Sequence, residues 1–554
     1  MSIPIRFKRT LCLLFALALT ALALAACSGG NDSAPKVPEV PEAKEAPDTV
    51  HYLVAIEDEP DTVDFQCTSI HYTIAQNVFN RLVEMENDAD GNAEILPSLA
   101  ERWEISDDHR SYTFWLRDGV TFSNGSPLTA SDVLYTFKRL LTHPDSCNQD
   151  IADSILGAVA LEKGETDSLE GFRILDAKTF VITLEQPFEA FLACLSMPGA
   201  SILDEQTTEE AGERFGRDPE WTIGTGSFVL ESWEPGKGML LKGNRYCWQG
   251  APKCDGLDLR FMTDAEEIRL LFERKELDIL NLDDVGKASE YFLHGDIYND
   301  RLYQVQRICI TYIALNESIA PLDDVRVRRA LQLALNRTLL LDAAYSGHGY
   351  LENGIMPHGL YGHNPELPEI PYDPEAAKAL LDEAGYAGGI DLTFSVSSAS
   401  SLSEMAMIRE AANMWERIGV HTTIEVLPDG EFMRKRKAGE ITCFSATWTA
   451  DYNDPDNFMY TFFGNAGNAR FRSLCYPRED IMQRVAGARA IADPDARIQE
   501  YRDLERIIVQ EDAAWIPLFS RFYFYVSSER LEGMQASWNG SVKNKYREMT
   551  IREG

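Results

Sequence analysis

The sequence predicts an α/β protein with more than one domain, and three observations lead to this class. The chain has 554 residues, which exceeds the usual size of a domain with a single hydrophobic core. Short alternating strands are typical of its first half, for example Ser111–Leu116, where Tyr112, Phe114 and Leu116 recur at every second position. In the second half, strand patterns and helix patterns alternate, which favours a parallel sheet.

A strand, a helix and a second strand follow one another between Leu392 and Val426. Gly419 ends the helix. In each of the three elements, residues recur at the spacing typical of a strand or of one face of a helix. These positions are Leu392, Phe394 and Val396 in the first strand, Ile408, Ala411, Ala412 and Trp415 in the helix, and Val420, Thr422, Ile424 and Val426 in the second strand. The order predicts a βαβ unit with parallel strands and a right-handed crossover.

Two further helices are predicted from an aspartate at their start. Asp324 precedes a segment with apolar residues at helical spacing, and Asp373-Pro374-Glu375 begins a helix that runs to Gly385. An aspartate side chain accepts hydrogen bonds from the free backbone amides of a first turn, and proline is tolerated at the first helical position.

The loop Trp448–Pro455 is the first candidate for a ligand site. A basic helix near residues 431–438 and an apolar run at 441–446 precede this loop. Because open α/β sheets bind ligands at the carboxyl ends of their strands, we expect a ligand close to it.

The N-terminus predicts export and a lipid anchor. Arg6, Lys8 and Arg9 precede an uncharged apolar run at 11–26 that is shorter than a membrane-spanning helix needs. The small residues before Cys27 resemble a bacterial lipobox, in which the cysteine becomes the acylated N-terminus. An ordinary cleaved signal peptide with a chance cysteine is the alternative.

The predicted mature protein therefore lies in the periplasm or at the cell surface, anchored to the membrane by Cys27. Residues 1–26 are the predicted signal peptide. Residues 27–49 are rich in Pro, Ala, Glu and Asp and have few large apolar side chains, so we expect a flexible tether.

The charge of the chain excludes one class of partner. With 88 acidic and 52 basic residues, the net charge is -36, which repels nucleic acid.

The sequence contains no HExxH, no GxSxG and no phosphate-binding glycine motif, so we expect no enzymatic activity and no cofactor.

Cysteine and histidine patterns give weak signals only. Cys247 and Cys254 flank a turn-forming stretch and are the best local candidates for a disulfide. No CxxC occurs, and the spacing of His348, His358 and His363 matches no compact metal motif, so we expect no metal site.

Five sequence blocks in a fixed order carry a resemblance to a known family. They begin at Leu99, Gly224, Asp323, Tyr372 and Trp448, and they include GTGSFVLESWEPGKG and WTADYNDPDNF. Together they resemble the extracellular solute-binding proteins of dipeptide and oligopeptide ABC importers, the family 5 solute-binding proteins. The glycines at 224, 226 and 236 are expected to serve turns.

The resemblance implies a periplasmic-binding-protein-like fold of two lobes joined by a hinge. The first lobe is expected at 50–85, 200–305 and 515–554, with an additional domain inserted at 86–199, and the second lobe at 306–514. In this family the lobes close on a peptide, and the closed form docks on a permease that works with an ATPase. The resemblance thus implies a monomeric binding protein that catalyses no reaction.

The resemblance also implies a set of contacts on the second lobe. The counterpart of Asp451 pairs with the amino terminus of a bound peptide, whereas the alternative for Asp451 is a capped turn before Pro455. The backbone at Trp448 and Thr449 is expected to hydrogen-bond to the peptide as an added strand. Arg436 lies where some relatives bind the peptide carboxylate, although a basic run on a helix is also typical of a solvated face.

The first lobe is expected to supply the opposing edge of the site. By the same resemblance this edge includes Ser69 and His71, and the alternative for His71 is a packed or solvent-facing histidine. In some relatives a cysteine at the position of Thr449 is bridged to a strand matching Cys309, so Cys309 is expected to be free here or paired elsewhere.

Two alternative functions remain: a receptor for a metal chelate or another small solute, and a peptide sensor.

Overall fold

A computed structural model of the chain describes residues 52–68, 71–87 and 93–552. The predicted signal peptide, the lipid anchor at Cys27, the tether and Ser69 lie outside the described residues. Among the described residues, no helix has both the length and the apolar composition that crossing a bilayer requires.

Twenty strands form within the described residues, and we number them in chain order. They are β1 (Tyr52–Glu57), β2 (Val83–Asn87), β3 (Ala93–Pro97), β4 (Ala100–Ile105), β5 (Ser111–Leu116), β6 (Phe172–Ile174), β7 (Thr179–Thr183), β8 (Phe228–Glu234), β9 (Gly238–Gly243), β10 (Gly256–Phe261), β11 (Ile279–Asn281), β12 (Leu302–Gln306), β13 (Cys309–Leu315), β14 (Gly349–Leu351), β15 (Ile390–Ser397), β16 (Val420–Leu427), β17 (Cys443–Thr449), β18 (Trp515–Ser527), β19 (Leu531–Glu532) and β20 (Thr550–Ile551).

Sixteen α-helices form within the same residues. They are α1 (Thr73–Val78), α2 (Ala130–Thr142), α3 (Ala158–Glu162), α4 (Phe191–Leu195), α5 (Glu205–Ala211), α6 (Ala265–Glu273), α7 (Ser289–Leu293), α8 (Val325–Leu333), α9 (Arg337–Tyr345), α10 (Pro374–Glu383), α11 (Leu402–Glu416), α12 (Asp429–Lys437), α13 (Asp456–Phe463), α14 (Ala466–Phe471), α15 (Glu479–Ala488) and α16 (Pro494–Arg506).

The long strand β18 connects the two halves of one large sheet. The strand order is β16-β15-β17-β13-β18-β11-β1-β10-β9-β8, and β12 and β14 also pair with β18. The first residues of β18 pair with β13, between Ala314↔Trp515 and Thr311↔Phe519. Its last residues pair with β12 and β11. Strands β12 and β13 are consecutive in the chain and pair with successive parts of β18. The two halves of the sheet are therefore joined by two segments, β12–β13 and β18, which run antiparallel to each other.

The second half of the sheet contains the predicted βαβ unit. Strands β15 and β16 are parallel, in register from Ile390↔Val420 to Ser397↔Leu427. Helix α11 connects them and packs Trp415, which is fully buried, against the sheet. The two predicted helix starts are confirmed, because Asp324 accepts a hydrogen bond from Arg326 N and Asp373 accepts one from Ala376 N.

The stretch predicted as an inserted domain forms its own sheet and core. The sheet order is β4-β5-β7-β6, and the β2-β3 hairpin lies before it in the chain. Phe114, Phe180 and Phe172 stack in this core with ring centroids 5.4 and 5.0 Å apart. The predicted residue boundaries of the lobes and of this domain stay predictions.

Two glycines of the sequence block that begins at Gly224 serve close packing and not turns. A Cβ on Gly224 would lie 2.2 Å from the carbonyl oxygen of Val78, and one on Gly226 would lie 2.6 Å from it. Only Gly236 has the positive φ, 70°, that favours glycine in a turn. The prediction of turns is therefore right for Gly236 and wrong for the other two.

All eight cysteines among the described residues are free thiols. The predicted disulfide between Cys247 and Cys254 is wrong, because Cys254 Sγ is buried and donates to the carbonyl of Tyr546, whereas Cys247 Sγ lies 3.8 Å from Ser227 Oγ. Cys309 pairs in register with Thr449, and burial raises the pKa of its thiol.

Candidate functional site

A cavity of about 630 Å³ lies between the predicted inserted domain and the predicted second lobe. Its lining includes Asp150, Asp153, Trp448, Asp451, Arg472 and Arg489. A second cavity of about 330 Å³ opens on the side of the first lobe, lined in part by Glu84, Trp538 and Lys545, and it also reaches Asp451. Asp451 thus lies where all three parts of the molecule meet.

The parts that surround the cleft are in direct contact. The backbone amide of Glu189 donates to the carbonyl of Arg489 at 3.1 Å. The guanidinium of Arg489 lies 4.0 Å from the ring centroids of both Phe188 and Tyr460. Tyr452, next to Asp451, packs into the core of the predicted inserted domain. These contacts close one side of the cavity.

Asn457 fixes the end of β17 and the loop that follows it. The side-chain oxygen of Asn457 accepts hydrogen bonds from Asp451 N at 3.0 Å and from Trp448 Nε1 at 3.3 Å. Its side-chain amide donates to Asp451 Oδ2 at 3.1 Å. The carboxyl group of Asp451 is therefore held in one orientation toward the cavity.

Asp454 of the loop and Asp456, the first residue of α13, already have cationic partners. Asp454 forms an ion pair with Arg497, with its closest contact at 2.5 Å, and Asp456 forms one with Arg489 at 3.0 Å. Asp451 has no cationic partner within ion-pair distance among the described residues. The turn is capped by Asp454, whose Oδ1 accepts the backbone amide of Asp456 at 2.9 Å.

Burial raises the pKa of three carboxyl groups in the larger cavity. It raises the pKa of Asp451 to about 6, the charge of Asp150 adds to this effect, and the Asn457 hydrogen bond and the charge of Arg472 oppose it. Burial also raises the pKa of Asp153 to about 6 and the pKa of Asp150. All three side chains touch the water of the cavity, but the surrounding protein displaces most of the bulk solvent that would stabilise their charge.

Arg472 is another charged residue of the cavity, and no signal in the sequence indicates it. Its guanidinium lies 4.8 Å from the ring centroid of Trp448 and 5.0 Å from that of Phe462. Its Nε is buried without a hydrogen-bond partner in the described part of the chain. Burial lowers the pKa of Arg472, and the charge of Arg436 acts in the same direction.

The structure brings the sequence-predicted residues together only in part. Trp448 and Asp451 line the larger cavity, and Thr449 ends β17 beside them. Arg436 is half-buried on α12, close enough to Arg472 to affect its pKa, and its Nε also has no partner among the described residues. His71 lines neither cavity; its Nδ1 lies 3.8 Å from Asp58 Oδ2. Its predicted role, like that of Ser69, stays a prediction.

The fold and the cleft together define a solute-binding protein, in which a ligand is held between two α/β lobes. The sequence profile of the family described as bacterial extracellular solute-binding proteins, family 5 Middle, matches residues 94–470. The chain belongs to this family, whose members bind solutes for transport and are not enzymes. The fold prediction is thereby confirmed.

Three relatives illustrate the similarity. The chain is 30% identical to heme-binding protein A of Haemophilus influenzae over 83% of this chain and 84% of that protein. It is 29% identical to the dipeptide-binding protein of Escherichia coli over 82% of this chain and 85% of that protein. The solved structure of HbpA2 from Haemophilus parasuis is 26% identical, with a TM-score of 0.75 over 91% of this chain and 100% of that one.

Proposed function

We propose that this protein captures short peptides in the cleft and delivers them to an ABC permease and its ATPase. The observation that carries the proposal is that, within the described residues, the larger cavity contains both a carboxyl group held in one orientation without a cationic partner, Asp451, and a guanidinium without an anionic partner, Arg472. Among the same residues, Asp150 and Asp153 add unpaired carboxyl groups on the side of the predicted inserted domain. A short peptide at neutral pH has a charged amine at one end and a carboxylate at the other. Asp451 and Arg472 are therefore complementary to its ends.

Asp451 is the proposed receptor for the peptide amine. Asp451 is open to the water of the cavity in the structure, but a ligand that closes the cleft excludes this water, and an unpaired carboxylate is then costly unless a ligand ammonium meets it. Asp454 and Asp456 already have arginine partners, so among the aspartates that follow β17 a ligand amine gains most at Asp451.

The backbone of β17 supports binding of the peptide as an added strand. On one edge, β17 pairs with β13 along its whole length, from Leu315↔Cys443 to Cys309↔Thr449. On its other edge, the strand pairing is limited to Phe394↔Cys443 of β15. Beyond that point no described strand pairs with this edge, so Trp448 and Thr449 lie on an edge to which an extended peptide can add.

The proposal includes export and a lipid anchor at Cys27, in the periplasm or at the cell surface. The composition of residues 1–27 supports it. The family relationship supports the transport role, and the peptide-binding names of two relatives support a peptide as the ligand.

The test begins with the native ligand. Mass spectrometry of material that co-purifies with the exported protein should detect short peptides; a single chelate or another small solute would overturn the peptide proposal. An identified peptide is then titrated calorimetrically, free and N-acetylated, into the wild type and into Asp451→Asn, which keeps the shape of the side chain and removes its charge.

We expect Asp451→Asn to bind the free peptide roughly thirty-fold to several-thousand-fold more weakly, because loss of one partner of a buried charge pair costs about 2 to 5 kcal/mol. The acetylated peptide should bind weakly to both proteins. Asp382→Asn, an exposed carboxyl group on α10, is the matched control and should bind like the wild type. Equal binding of the two peptides by the wild type would exclude Asp451 as the amine receptor.

A further inference from the structure

Glu352, His358 and His363 form a compact cluster outside the ligand cleft. One nitrogen of each imidazole and one carboxylate oxygen of Glu352 lie within 4.8 Å of one another. The two imidazole rings are in contact, with centroids 4.4 Å apart. Neither the cavity of Asp451 nor the proposed transport function involves this cluster.

The two imidazoles offer different nitrogens to a cation: His358 Nδ1 shares a proton with Glu352, and a cation bound by both groups replaces that proton, whereas His363 donates from Nδ1 to a backbone carbonyl and leaves Nε2 free. His358 Nδ1 lies 3.0 Å from Glu352 Oε2, and His363 Nδ1 lies 2.8 Å from the carbonyl oxygen of Met356. In the part of the chain that the structure describes, the Nε2 atom of neither ring has a hydrogen-bond partner. A metal-binding histidine usually donates its other ring N–H to a carboxylate or a backbone carbonyl, which fixes the tautomer and aims the free nitrogen.

The carboxylate of Glu352 lacks a strong counter-charge. Its side chain is 1% exposed, and it accepts hydrogen bonds from the backbone amide of His358 and from the hydroxyl of Ser520. Among the described residues, the imidazole of His358 is the one group at ion-pair distance that can carry a positive charge. A buried carboxylate with so little compensation favours an additional cation.

We propose that Glu352, His358 and His363 form a binding site for one Zn²⁺ ion. Imidazole and carboxylate ligands suit zinc, whereas Mg²⁺ and Ca²⁺ prefer oxygen ligands alone. Ligand atoms around tetrahedral zinc are about 3.4 Å apart, so the three side chains approach one another by roughly an ångström on binding. Both histidines are partly exposed on the segment 352–363, and water completes the coordination.

The site lies against the segments that join the two lobes. Glu352 N donates to the carbonyl of Leu518 in β18 at 3.0 Å, and Gln306 Nε2 at the end of β12 donates to the carbonyl of His358 at 3.0 Å. A bound ion therefore ties the segment 352–363 more firmly to β12 and β18. We expect Zn²⁺ to raise the thermal unfolding temperature, because it binds the folded chain preferentially.

The test uses the full mature chain without a histidine tag, freed of metal by a chelator. Zn²⁺ is titrated in competition with a colorimetric zinc chelator into the wild type, His358→Gln and His363→Gln. His421→Gln is the matched control, because His421 also contacts a glutamate, Glu416, but is exposed and lies outside the cluster. Thermal unfolding without metal verifies that each variant is folded.

We expect one Zn²⁺ per wild-type chain, at least about ten-fold weaker binding in either cluster variant, and unchanged binding in the control. Co²⁺ bound to the wild type should give ligand-field bands without a thiolate charge-transfer band. This spectrum distinguishes the proposed site from metal binding by the free cysteines, and it is measured on the wild-type protein alone. Absence of zinc binding, equal affinity in all variants, or a thiolate spectrum would overturn the proposal.

Discussion

Arg497 and Asp454 form a two-pronged ion pair in the interior of the second lobe. The two nitrogen–oxygen distances are 2.5 and 2.9 Å, and both side chains are buried. Asp454 also caps the turn that leads into α13, so the pair holds the loop that carries Asp451.

Removal of one partner of this pair should lower the stability of the fold. Arg497→Met leaves the carboxylate of Asp454 buried and unpaired, and we expect the free energy of unfolding to fall by about 3 to 5 kcal/mol in urea denaturation. Arg484→Met is the control, because its pair with Glu500 is near the surface and is worth about 1 kcal/mol or less. Equal losses in both variants would contradict the structural role of the buried pair.

Peptide affinity should depend on the protonation of Asp451. Its pKa in the unliganded protein is raised to about 6, and only the ionised form attracts an ammonium. Affinity should therefore be full above about pH 7 and fall as the pH drops through 6, by about ten-fold per unit. Calorimetry of wild type and Asp451→Asn across this range measures the effect; the variant should lack the acidic decline. An identical decline in both would assign it to another group.

Glu505 should make the fold less stable as the pH rises. Burial raises the pKa of Glu505 to about 8 from an ordinary value of 4.5, so between these values the folded chain holds a proton that the unfolded chain has lost. Its stabilising contribution is complete below about pH 4.5 and is lost as the pH rises through 8, at about 1.4 kcal/mol per unit.

Glu505→Gln should remove this slope, because its side-chain oxygen can still accept the backbone amides of Ile355 and Met356. The measurement is urea denaturation at several pH values, with the difference between variant and wild type plotted against pH. A difference that does not change with pH would show that Glu505 titrates normally.

Ligand binding should draw the lobes together. The contact of Arg489 with Phe188 joins the predicted second lobe to the predicted inserted domain, and a ligand that touches both sides of the cleft favours the shut state. Small-angle scattering of the wild type should give a smaller radius of gyration with saturating peptide. Asp451→Asn at the same peptide concentration should change less. An unchanged radius in the wild type would indicate a preformed closed site.

Cys27→Ser should abolish membrane retention. The hydroxyl cannot take the thioether-linked lipid of a lipoprotein, so the variant should be released as a soluble protein or accumulate unprocessed. Fractionation and mass analysis of the N-terminus distinguish these outcomes. Normal processing with full membrane retention would exclude Cys27 as the anchor.

Local patterns predicted the elements of the second lobe well. The caps at Asp324 and Asp373 and the βαβ unit from β15 to β16 depend on residues close in sequence, so periodicity and capping chemistry suffice to find them. The strand at Ser111–Leu116 was predicted for the same reason.

Features that depend on distant contacts were missed. Residue 224 must be glycine because a Cβ there would collide with the carbonyl oxygen of Val78, almost 150 positions earlier. The residues next to Gly224 do not distinguish this close approach from a turn. Arg472 reaches the cavity only because the chain after α13 folds back over Trp448. The cluster of Glu352, His358 and His363 is close in sequence, but it was also missed, because its spacing matches no compact metal motif.

The position of β18 has a consequence for how the chain folds during synthesis and export. It pairs with β13 on one side of the molecule and with β11 and β12 on the other. Residues 515–527 follow all other strands of the large sheet in the chain, so neither half of the sheet is complete until β18 has been synthesised. A chain truncated before Trp515 would leave long apolar edges unpaired in both lobes, and such edges promote aggregation.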